Sequence, residues 1–125
     1  MSIRVAFRLT SASDSLTKLL PVAEAEIMRE FWARGPLSGR AVHTAIATRR
    51  AVAYTTSLTT CMHLFAKGLL RRTLVERSCR YIYTPTISEG AFVRRELAGI
   101  LDSLARDYPA VLAHELETRR EHAAN

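Results

Sequence analysis

Residues 53–68 read Ala53-Tyr54-Thr55-Thr56-Ser57-Leu58-Thr59-Thr60-Cys61-Met62-His63-Leu64-Phe65-Ala66-Lys67-Gly68. Two β-rich runs follow, Leu69 to Val75 and Cys79 to Thr84, around the turn Glu76-Arg77-Ser78. The spacing predicts a helix from about Ala53 to Ala66, with Gly68 supplying the positive φ of a helix exit. A β-hairpin closed by Pro85 comes next. At ~100° per residue, Tyr54, Ser57, Cys61, Leu64 and Phe65 fall on one side of the helix. Thr55, Thr56, Thr59 and His63 fall on the other, with Leu58 and Met62 on the flank. The run Thr55, Thr56, Thr59 and Thr60 weakens a helix without a structural return. Outward hydroxyls and methyls do suit base edges and thymine methyl groups in a DNA major groove, and Leu58 suits a base methyl.

Upstream, Leu20-Pro21 opens organised sequence, because proline fits a first helical turn. Ala23, Ile27, Met28, Phe31 and Trp32 recur at helical spacing as a core stripe, and Gly35-Pro36 ends it. Leu37 reads as a short extended link. Ser38 is an N-cap for a second helix whose stripe is Ala41, Val42, Ala45 and Ile46. Residues 1–19 read as a poorly ordered N-terminal arm, and residues 20–87 as one domain of three helices and a hairpin. That order is a winged helix-turn-helix.

Downstream, residues 88–125 read as two helices and a tail that is charged and frays from Glu117. Ser88 caps the first helix, with Glu89 in its first turn. Val93, Leu97, Ile100, Leu101 and Leu104 line it. Pro109 starts the second helix, which carries Val111, Leu112 and Leu116. A small winged domain already fills its own core, so this surplus stripe predicts pairing between two chains.

The chain carries a formal net charge of +6 and has a sequence pI of about 10.0, a balance that favours a polyanionic partner. Arg71, Arg72, Arg77 and Arg80 form a basic rim on the hairpin, and Arg49 and Arg50 precede the third helix. These are candidate phosphate contacts. Tyr54 is either a core residue or a phosphate donor through its hydroxyl. Cys61 and Cys79 are too far apart for a metal-binding pair and read as reduced, half-buried thiols. His43, His63, His114 and His122 are scattered, so neither metal nor catalysis is expected of them. Paired carboxylates, a phosphate-binding glycine loop and a nucleophile–base signature are all missing, so an enzyme is not expected. No apolar run reaches bilayer length and no signal-peptide core is evident, so the expected location is cytoplasmic.

Glu24-x-x-Ile27-Met28-x-x-x-Trp32, Ala53-Tyr54-Thr55-Thr56-x-x-Thr59, Leu64-x-x-Lys67-Gly68-Leu69, Tyr83-x-Pro85 and Ile87-Ser88 together resemble the penicillinase repressor family, the BlaI/MecI/CopY group. The resemblance covers roughly Leu20 to Leu116. It implies a homodimeric winged-helix repressor of transcription whose third helix reads a palindromic operator. Carried over by position, groove contacts fall on Thr55, Thr56, Leu58 and Thr59, and a backbone contact of the wing falls near Arg77 or Arg80. Trp32 is implied to be a core residue. Departures from the family pattern are Ser57 and Cys61 for larger apolar residues, His63 for a frequent arginine, and Glu76 for a frequent glycine. The hairpin also looks about two residues longer, and the chain ends soon after Leu116, where many members have another helix. The Asn-Phe bond cut in β-lactam-sensing members is absent around Ala113-His114-Glu115, as is the cysteine-rich tail of copper-responsive members. Control by proteolysis or metal is therefore not expected, nor is a cofactor or small-molecule ligand. The alternative is a winged-helix protein-interaction module whose third helix is simply exposed.

Overall fold

The computed structural model describes residues 15–77 and 80–124. By contact density these divide at Glu89/Gly90 into two compact units, each described by itself. The first unit opens with a 3-10 turn, Ser15–Lys18, followed by α1 (Val22–Arg34), β1 (Leu37–Ser38), α2 (Gly39–Ala47), α3 (Tyr54–Ala66), β2 (Leu70–Val75) and β3 (Arg80–Pro85). The strands form one antiparallel sheet in the order β1-β3-β2. The expected three-helix-and-hairpin order is present, so the first unit is a winged helix-turn-helix.

The core forms where the apolar stripes of the helices meet. Ile27, Met28 and Phe31 of α1, Val42 and Ile46 of α2, and Cys61 and Leu64 of α3 are all at most 3% exposed. Tyr83 of β3 closes the sheet side, its ring edge-on to Phe31 at 6.4 Å. Trp32 corrects its sequence reading in part, since it is only half-buried. Its indole N–H has a definite job, donating to the Ile87 carbonyl at 2.9 Å.

Local signals set the element ends. The Ser38 hydroxyl accepts from the Ala41 N–H at 3.0 Å, the capping bond expected at the start of α2. Gly68, at φ +81°, ends α3. Its N–H reaches the Phe65 carbonyl, and the Leu69 N–H reaches the Leu64 carbonyl, both at 3.0 Å. These paired bonds form a Schellman exit, which only a residue tolerant of left-handed backbone supplies cheaply.

Three features lie beyond the sequence reading. Ser15–Lys18, expected within a poorly ordered arm, form a 3-10 turn whose Leu16 is only 3% exposed and joins Leu20 in the core. The expected arm residues before Ser15 lie outside the described residues. Leu37, read as a link, pairs with Tyr83 to start a third strand. The second unit holds α4 (Glu89–Asp107) and α5 (Pro109–Ala124), so the tail expected to fray from Glu117 is helical. Pairs at helical spacing support it: Arg119 with Glu115 at 3.4 Å and Arg120 with Glu117 at 2.9 Å. Among the described residues, no helix is long and apolar enough to cross a membrane.

Candidate nucleic-acid interface

The inner face of α3 consists of Ser57, Thr60, Cys61 and Leu64, all buried. Thr55, Thr56, Thr59 and His63 are exposed on the outer face, as their spacing predicts, and Met62 is 53% exposed beside them. Thr60 does not join the other threonines. It is 7% exposed, and its hydroxyl donates to the Thr56 carbonyl at 2.9 Å. That bond satisfies the buried hydroxyl within the helix, so Thr60 has the structural return that the sequence reading denied it. Leu58 is half-buried against the start of α2, where a Cβ added to Gly39 would lie 2.5 Å from the Leu58 Cδ2.

The packing of α3 on α2 uses polar contacts where larger apolar side chains would otherwise serve. The Ser57 Oγ lies 3.0 Å from the His43 Nδ1, so the small residue at 57 is matched by a hydrogen-bonding histidine on α2. The Tyr54 ring stands edge-on to His43 at 5.3 Å, and the Arg40 guanidinium lies 4.8 Å above it. Tyr54 is half-buried. Burial pushes the Cys61 thiol up to about 11, so it stays protonated and weakly reactive at neutral pH. Cys79 lies outside the described residues.

The basic residues separate into two sets. Residues 1–89 hold 13 Lys and Arg against 6 Asp and Glu, a net +7, while residues 90–125 hold 5 against 6, a net −1. Within the first unit, α1 collects carboxylates. Its Glu26 takes the Arg50 guanidinium at 2.7 Å, its Glu30 takes Arg49 at 3.0 Å, and its Glu24 takes Lys67 at 2.5 Å. Arg49 and Arg50, candidate phosphate contacts in the sequence, are therefore tied to α1. The hydrogen bond and charge of Glu26 also push Arg50 above its ordinary value.

The hairpin arginines do not form a single rim. Strand alternation puts Arg72 on the face of Leu70 and Leu74, opposite Tyr83, and puts Arg71 on the other face, opposite Thr84. The Arg72 guanidinium is held between two rings, 4.2 Å from Phe65 of α3 and 4.4 Å from Tyr81 of β3. Arg77 sits in the turn at φ +70°, and Arg80 opens β3. Arg71, Arg77 and Arg80 are exposed.

Between α3 and the hairpin lies a groove of about 410 Å³, bordered by Arg40, Tyr54, Leu58, Met62, Arg72, Arg80, Tyr81 and Tyr83. Arg40, absent from the sequence candidates, belongs to this basic surface. Its position one residue into α2, after a serine cap, is the signal that would have found it. Among the described residues, no cluster of His, Cys, Asp or Glu can hold a metal ion.

A helix with an outward polar face, packed in a three-helix core beside a basic hairpin, is the arrangement of a winged helix-turn-helix. Residues 20–124 match the family model described as "Penicillinase repressor". The chain belongs to the penicillinase repressor family, a family of DNA-binding transcriptional repressors rather than enzymes. A comparison with curated proteins gives no match.

Proposed function

We propose that the chain acts as a homodimeric, cytoplasmic repressor that reads a palindromic operator. Two copies of α3 would enter successive major grooves on one side of the duplex. Thr55, Thr56 and Thr59 would meet base edges, with His63 and the flank residue Leu58 beside them. Arg71, Arg77 and Arg80 would meet phosphates. Arg49, Arg50, Arg72 and Tyr54 serve first to hold α3 and the hairpin in place. The observation that carries this reading is the division of α3: its threonine face is solvent-exposed, within a unit of net charge +7 whose α1 carboxylates point their charge at other residues.

Dimerisation is supported by apolar surface on the second unit. Leu97 is 50% exposed, Val111 64% and Leu116 47%, with Leu104 also exposed. Val93, Ile100, Leu101 and Leu112 are half-buried on the same helices. A stripe of this extent is left uncovered in a single chain, and a second copy would bury it.

The test is binding to duplexes selected from a random pool. Affinity falls steeply with salt, in proportion to the number of phosphates neutralised. Thr56→Ala combined with Thr59→Ala removes preference for the selected sequence more than it removes overall affinity. Selection that yields no preferred sequence, or a double variant that retains full preference, defeats the assignment and leaves a protein-interaction module.

A further inference from the structure

We propose that the groove between α3 and the hairpin binds a small planar aromatic carboxylate, and that an occupied groove weakens DNA binding. The second half rests on the DNA reading above; the first half does not.

The groove's volume of about 410 Å³ lies within the range of small-molecule sites. Its apolar surface comes from Leu58 and Met62 of α3 and from the ring of Tyr81, with the buried Tyr83 beneath. Its charged groups are Arg40, Arg72 and Arg80, with no carboxylate among the bordering residues. The Arg72 head is already held by the rings of Phe65 and Tyr81, and Arg40 rests on Tyr54. Guanidinium groups stacked in this way lose little freedom when they take a carboxylate, and their forked donors match its two oxygens.

The same features exclude other ligand classes. A cation meets three positive side chains. A neutral aromatic offers Arg40 and Arg72 no carboxylate to take. An inorganic anion gains nothing from the leucine, methionine and tyrosine surface. A flat apolar body with one anionic group uses both halves of the groove. Because α3 and the hairpin form its two walls, such a ligand sits between the elements assigned to DNA and masks arginine charge that would otherwise face phosphate.

The test has two arms. In the first, 2-naphthoate is titrated into the full-length protein without DNA and followed by amide and methyl NMR, with 2-naphthamide and inorganic phosphate as comparison probes. Saturable shifts at Leu58, Met62 and Tyr81 are expected, with both comparison probes weaker by at least about tenfold. Arg40→Gln and Met62→Glu, both at exposed positions, each weaken naphthoate binding by about tenfold while the rest of the spectrum stays native. Absence of saturable shifts, shifts confined to residues 93–116, or equal binding by the amide or by phosphate would overturn the pocket. In the second arm, affinity for a selected duplex is measured with and without saturating naphthoate, and a drop is expected. Unchanged affinity overturns the coupling. Failure of the ligand-free protein to bind any duplex removes the DNA reading and the coupling with it, while the pocket is still decided by the first arm.

Discussion

Lys67→Met removes the cation that faces Glu24, and its cost can be bounded from the geometry. The Lys67 ammonium lies 2.5 Å from the Glu24 carboxylate, with the lysine side chain 46% exposed and the glutamate 10% exposed. Removing one partner of a fully buried pair costs about 3–5 kcal/mol. Exposed pairs contribute about 0.2–1 kcal/mol. This pair has one buried and one half-solvated member, so Lys67→Met should cost about 1.5–2.5 kcal/mol. Glu24→Gln removes the buried charge but keeps an acceptor for the lysine, and should cost less, about 1 kcal/mol. The order matters more than either value, because an orphaned, nearly buried carboxylate on α1 is worse than an orphaned ammonium that water can reach. Urea unfolding at fixed protein concentration measures all four members of the cycle, with the m-value checked for constancy. In the Glu24→Gln background, Lys67→Met should cost under about 1 kcal/mol, leaving only the lysine's interaction with the end of α3. A Lys67→Met cost below about 0.5 kcal/mol, or a Glu24→Gln cost above that of Lys67→Met, would refute the reasoning.

Other expectations follow from single positions. Gly68→Ala should destabilise by about 1 kcal/mol, and Arg77→Gly should stabilise by a similar amount, because both positions need positive φ; thermal unfolding reads both. The Cys61 thiol is neutral in the fold up to about 11, while in the unfolded chain it ionises near 9.0. Its contribution to stability is therefore complete below pH 9.0 and is lost as pH rises toward about 11. Comparing the chain with Cys61→Ala in urea across that window isolates the slope, and identical slopes count against a buried neutral thiol. Leu97→Glu should give monomers in sedimentation, since Leu97 is half exposed on the proposed dimer stripe; an intact dimer would move the interface elsewhere.

Periodicity and end signals carried most of the fold. The stripes through Ile27, Met28 and Phe31, through Val42 and Ile46, and through Ser57, Cys61 and Leu64 are local patterns that name a buried face before any partner is known. Ser38 and Gly68 mark their helix ends by chemistry that acts within a few residues. What escaped depends on partners distant in sequence. Arg50 looks like a phosphate ligand until Glu26, 24 residues away, takes its guanidinium. Leu37 looks like a link until Tyr83 pairs with it. Thr60 counts as a surface threonine on composition, but its place on the helix, next to Cys61 and Ser57, puts it inside. The groove was illegible for the same reason: Arg40, Met62 and Tyr81 belong to three elements that meet only in the fold.

The bond between Trp32 and the Ile87 carbonyl has a practical consequence. The chain has one tryptophan, so its intrinsic emission comes from a single indole, half-buried and anchored two residues before α4 begins. Any event that pulls the segment after β3 away from α1 must break that anchor and let water reach the ring, shifting the emission to the red. The protein thus carries its own optical gauge inside its first unit, readable in solution without a label.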